Sequence, residues 1–175
     1  MEWGKQMEKN QENAKLSLYQ NTNYSYERRN RQSLVLEIDI DTDDNTFSVN
    51  LIEPLIIDKL SDIYLDSFTT HYCKTGDSII DKGFILDIDQ FNIDTNSNKS
   101  EYFNKIFIPN EQTTASNPQI SRVHKGKKMN YICSINPTKL HMLSGSLTLS
   151  DGSTTVASHN DFVAIAELMI VARDI

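Results

Sequence analysis

The chain has 175 residues, with 17 Lys and Arg against 24 Asp and Glu and a net charge of −7. This length is one domain's worth, large enough to hold a core without disulfides or a structural metal. An acidic chain is a poor match for the phosphates of nucleic acid, its two cysteines make no disulfide framework, and no apolar run approaches the roughly 18 residues of a membrane span. The opening Met1-Glu2-Trp3-Gly4-Lys5 runs into polar sequence and reads as no signal peptide, so a reducing compartment is expected.

There are 6 Ala but 19 Ile, and Asn, Ser and Thr together supply 46 residues. Ala favours helix, Ile and Thr fit a pleated surface, and Asn and Ser favour turns. An all-β chain with polar loops is predicted.

Residues 1–32 stand apart. They carry six Lys or Arg and four acids, a local +2 on an acidic protein, and contain no Val or Ile. Trp3, Met7, Ala14 and Leu18 lie near helical spacing, but the polar filling makes such a helix marginal. We read this stretch as an N-terminal arm, flexible or ordered on a partner. Trp3 and the series Tyr19, Tyr24 and Tyr26 would be its anchors, and Arg28, Arg29 and Arg31 its contacts to an acidic surface.

From Ser33 the period becomes two. Leu34, Leu36, Ile38 and Ile40 predict one face of a first strand, with Glu37, Asp39 and Asp41 on the other. Asp41 to Asn45 is a turn cluster. Phe47, Val49 and Leu51 predict a second strand, with Pro54 marking an edge, a bulge or its end. Further strands are predicted at about 60–70, 84–93, 105–108 (stopped by Pro109), 129–135, 140–149 and 162–172. Gly145 suggests a bend in the seventh, and Asp151-Gly152-Ser153 a turn. The eighth is apolar on both faces except at Glu167, so it should lie centrally or be covered. Residues 94–104 and 110–126 read as polar loops. They disfavour an up-and-down barrel of even hairpins, and the expectation is a single eight-stranded jelly-roll β-sandwich over 33–175.

Catalytic and metal signatures are thin. Counted as an EF-hand loop from Asp39, the sixth position is Asp44 where Gly is required and the twelfth Asn50 where Glu is required. His71 and Cys73 could share one strand face, but no CxxC or HxxxH completes a zinc set. No nucleophile elbow or phosphate loop occurs. No enzyme activity and no cofactor is expected. Asn23-Tyr24-Ser25 and Asn98-Lys99-Ser100 match glycosylation sequons but gain no meaning without a secretory signal. The one dense basic patch is His124-Lys125-Gly126-Lys127-Lys128, and His124, Lys125, Lys127 and Lys128 are its candidate contacts to an acidic neighbour, a second copy included.

Three phrases carry a resemblance. They are Ile57-Asp58-Lys59-Leu60-Ser61-Asp62-Ile63-Tyr64-Leu65-Asp66-Ser67-Phe68-Thr69-Thr70, then Phe107-Ile108-Pro109-Asn110-Glu111, then His124 to Lys128 running on to Ile135-Asn136-Pro137. With them the chain resembles the small jelly-roll minor capsid or penton-type proteins of giant double-stranded DNA viruses, over roughly 33–173. The resemblance implies a structural virion protein assembled in the host cytoplasm. It would act by self-association, including a five-fold ring, and by contact with other capsid proteins such as the major capsid protein. The alternative is a carbohydrate- or protein-binding module, in which Tyr64, Tyr72, Phe91 or Tyr102 stacks on a sugar ring.

Overall fold

The computed structural model describes residues 31–74, 82–110, 121–124 and 130–173. Residues 1–30 lie outside it, so the arm, with Trp3, Arg28 and Arg29, is not described further. Ser33–Ile175 is one compact unit.

The described chain is all-β, with strands β1 (Arg31–Asp39), β2 (Thr46–Ile57), β3 (Ser61–His71), β4 (Gly83–Ile88), β5 (Ile106–Pro109), β6 (Arg122–His124), β7 (Asn130–Ile135), β8 (Thr138–Leu149) and β9 (Val163–Ala172). A 3-10 turn covers Ser100–Tyr102. No helix among the described residues is long and apolar enough to cross a membrane. The strands form two antiparallel sheets packed as a sandwich. Sheet A runs β1-β9-β3-β6, with β7 also on β3, and sheet B runs β2-β8-β4-β5.

β9 follows β3 from Ser61 to His71, while β7 pairs with Ser61–Leu65 and β6 with Phe68–Thr70. Since β9 occupies one edge of β3 throughout, β6 and β7 lie end to end along the other. β6 falls in the stretch predicted as polar loop. Three residues, two of them Arg122 and His124, give no apolar alternation to read, and the strand exists because β3 offers it an edge.

Period-two residues fill the space between the sheets. Leu36, Ile38, Ile63, Phe68, Phe84, Leu86, Leu143, Leu147 and Leu168 are fully buried there. Ala164 and Ala166 of β9 are fully buried, and Phe68 and Phe84 meet across the layers with ring centroids 5.5 Å apart. β9 lies between β1 and β3, the first of the two placements its two-sided apolarity allowed. β2 runs through Pro54. The register slips between Asn50 and Leu55, and β2 is an outer strand, so the missing Pro54 amide falls at an irregularity on an edge. β4 ends at Ile88 rather than near 93, although Phe91 and Ile93 still turn inward and are buried.

Turn chemistry matches the sequence. Asp44 Oδ1 accepts from the amides of Asn45 and Thr46 and from the Thr46 hydroxyl, which holds its carboxyl below the usual range. These acids form a solvated turn, and no group of three or more His, Cys, Asp or Glu among the described residues is arranged to hold a metal. Asp151 accepts from the amides and hydroxyls of both Ser153 and Thr154. Partial burial pushes its carboxyl up, yet these four bonds bring it down to about 2. Asp151→Ala is expected to lower stability by about 1 kcal/mol at neutral pH in urea unfolding. The wild-type advantage should be complete above the unfolded value near 3.8 and fade as pH falls towards 2. Equal stability at neutral pH would show that the turn holds without the carboxylate.

Candidate functional site

The predicted interface residues separate. Arg31 opens β1 and is exposed. Lys125, Lys127 and Lys128 lie outside the described residues. His124, read as part of the basic surface loop, is instead interior, with 1% of its surface exposed. The strand alternation of β6 turns Val123 outward and His124 inward, where its ring packs edge-on to Phe84 (4.6 Å) and near Phe68 (6.0 Å). Its Nε2 lies 2.7 Å from Thr70 Oγ1, and Nδ1 has no hydrogen-bond partner among the described residues. Burial, helped by the nearby Arg122 charge, pushes its pKa down to about 4. A neutral interior imidazole cannot dock on an acidic surface.

Two surfaces carry recognition chemistry. The first is the outer face of sheet A. Along β9, Val163, Ile165, Met169 and Val171 point away from the core and are only half-buried, with Glu167 between them. Cross-strand pairing extends this stripe into rows. Tyr131, Tyr64 and Met169 form one, Val123, Thr69 and Ile165 another. Tyr64 and Tyr131 meet edge to face at 5.8 Å. Ser67 Oγ donates to Glu167 at 2.8 Å, so the one carboxylate in the stripe has a partner.

At one end of the first row is a polar clamp. Arg173 donates from Nε (2.9 and 3.0 Å) and Nη2 (2.7 Å) to Asp62, and Ser134 Oγ donates to Asp62 at 2.7 Å. Ser134 also meets the Tyr131 hydroxyl at 2.9 Å. Arg173, with Ser134 adding to it, holds the Asp62 carboxyl below its ordinary value against a burial effect that raises it. The clamp fixes the tyrosine pair at its rim. The surface offers half-buried apolar contact with a polar border, which suits a protein neighbour.

The second surface is a polar cavity of about 230 Å³ outside sheet B, lined by Ile85, Ser100, Glu101, Lys105, Ser146, Thr148 and Gly152. Ile85 points outward from β4 yet is only 3% exposed, because the chain from Asp89 to Lys105 folds back over it. Lys105 is ion-paired to Asp87. Gly152 has φ +73°, and a Cβ there would come within 3.1 Å of Glu101, so glycine both makes the turn and makes room for that side chain.

The aromatics proposed for sugar stacking are dispersed. Phe91 is buried. Tyr102 lies edge-on to Phe107 at 5.4 Å, and Tyr72 sits between His71 (4.5 Å) and His159 (4.9 Å). Tyr72 has φ 54°, so strand alternation ends there. His71 and Cys73 therefore do not share a strand face. Cys73 is buried and bridges to Ala157, while Ser121 Oγ meets His71 Nδ1 at 3.2 Å. Sequence reading missed the Asp62–Arg173 clamp and the sheet A rows. Partners 111 residues apart leave no local trace, although the apolar outer phase of 163–171 was visible.

No protein-family model, no curated protein and no solved structure matches this chain.

Proposed function

We propose that this protein is a non-enzymatic structural component of a viral capsid, a penton or minor capsid protein. In this reading it acts in the virion through self-association and contacts with other capsid proteins, the major capsid protein among them. The sandwich in this reading is a jelly roll. With β6 and β7 counted as one interrupted strand, eight strands pair first with last, second with seventh, third with sixth and fourth with fifth. That is one long antiparallel ribbon, and its rolling up brings β9 beside β3 and β8 beside β4. Capsid and lectin domains both use such double-sheet rolls, so the topology alone does not choose between them. The observation favouring assembly is the half-buried apolar stripe on β9, widened by the exposed Tyr131 and Val123.

Size-exclusion chromatography with light scattering tests it on the full chain. Concentration-dependent oligomers or a ring are expected. Ile165→Lys with Met169→Lys, outward positions that leave the core untouched, should reduce them without changing the unfolding midpoint by more than a small margin. A monomer at every concentration would overturn the reading. The second reading, a carbohydrate-binding module, rests on the cavity under Ser100–Lys105, whose hydroxyls and carboxylate suit a polyol. A monomer that binds on a glycan array and loses that binding in Glu101→Ala would favour it.

A further inference from the structure

We infer that the edge of β1, which has no further strand beside it among the described residues, is a twofold pairing surface for a second copy of this chain, joining two A sheets into one continuous sheet. This rests on the self-association read above. A sheet edge exposes unpaired amides and carbonyls, and proteins blunt such edges with bulges, proline or shortness. Three edges of this sandwich are blunted. β2 carries the register slip and Pro54, β5 is four residues long and ends on Pro109, and the β6–β7 edge is broken into two short strands. β1 is different. It is the outer strand of sheet A, nine residues long, with neither proline nor glycine.

Its sequence is also complementary to itself. The outward residues are Arg31, Ser33, Val35, Glu37 and Asp39, all exposed, Val35 by 57%. If two copies run antiparallel about an axis at Val35, Arg31 faces the partner's Asp39, Ser33 faces the partner's Glu37, and Val35 faces the partner's Val35. Opposite charges meet at both ends, a donor hydroxyl meets a carboxylate, and the apolar side chain lies on the axis. On the inner phase Leu34 faces the partner's Leu36, so the two cores become continuous. Parallel pairing would set Arg31 against the partner's Arg31 and Glu37 against the partner's Glu37, which is repulsive. A slip by two residues would shorten the pairing and oppose Val35 with serine or glutamate. The charge pattern thus selects a single direction and register, and the result is the isologous contact of a closed dimer. Arg31, singled out in the sequence as a contact to an acidic surface, finds that surface in the partner's Asp39.

The test uses the full chain. Directly opposed residues have Cβ atoms about 4.5–5.5 Å apart, close enough for a disulfide after small adjustment. Val35→Cys, mildly oxidised, should give a reducible covalent dimer. Ser33→Cys and Glu37→Cys should each stay uncrosslinked alone and crosslink when mixed. Cys73 and Cys133 are buried, so wild type serves as the blank. Arg31→Asp should weaken association roughly tenfold at low salt, with added salt narrowing the gap, and adding Asp39→Arg should restore it. Oligomers that persist while Val35→Cys fails to crosslink would overturn the edge pairing and leave the structural reading standing. A protein that is monomeric at all concentrations would overturn both.

Discussion

Gly145→Ala is expected to lower the stability of the domain by about 3 kcal/mol, a drop in Tm of roughly 6–12 °C for a chain of this size. Gly145 lies in β8, opposite Phe47 of β2 on one side and Ile88 of β4 on the other. A Cβ there would fall 1.9 Å from the Asp87 carbonyl oxygen, 2.9 Å from its carbon and 3.1 Å from Ile88 Cα. All three are backbone atoms of β4, so no rotamer change relieves the overlap. The strands must part, and the β8–β4 contact is one that joins the two halves of sheet B. The sequence suggested a bend at this glycine. β8 continues through it, and glycine is needed because β4 comes so close. Ser146→Ala, one residue on and facing outward, should change stability by less than about 0.5 kcal/mol. Urea or thermal unfolding of the pair checks this. A Gly145→Ala protein as stable as wild type would mean that β4 does not approach so closely.

Acidification should destabilise the protein through His124 by about 3 kcal/mol between pH 7 and pH 4. The unfolded chain takes up the imidazole proton near 6.5, while the folded protein resists it to about 4. The folded state therefore keeps its full advantage above 6.5, loses it progressively as pH falls from 6.5 to 4, and loses no more from this group below that. The cause is position. A charged ring between Phe68, Phe84 and Thr70 would have lost its water, and the neighbouring Arg122 repels it. His124→Gln keeps a polar group towards Thr70 and removes the titration. It should cost stability at pH 7, and the gap to wild type should narrow by about 3 kcal/mol by pH 4. Parallel pH profiles for the two proteins would show that the folded imidazole takes up its proton as readily as the unfolded one and so meets water there.

Residue pattern explains which parts were legible. Leu34, Leu36 and Ile38, or Phe84, Leu86 and Ile88, announce a strand because alternation records contact with a single core face, and that information is local. Pro54 and Asp151-Gly152-Ser153 were legible for the same reason, since proline geometry and the side chains of a turn act within a few residues. β6 was hidden because its pairing depends on β3, which lies about fifty residues away. His124 was misread as surface because its basic neighbours define a charged local composition, while its burial depends on strand phase and on Phe84 from the other sheet. Asp62 and Arg173 likewise gave no signal, because the β3–β9 pairing alone brings them together.

The sequence by itself determined that the body is β, where most strands lie, that β9 is central or covered, and that the acids of 39–45 face solvent. Each of these follows from side-chain character repeated at a fixed local period. Tertiary structure alone decided the order of strands in the two sheets, with β1 outermost in sheet A among the described strands, the interior fate of His124, and the rows on sheet A. Those depend on which distant segments pack together, and a chain records that choice only in the sum of its long-range contacts.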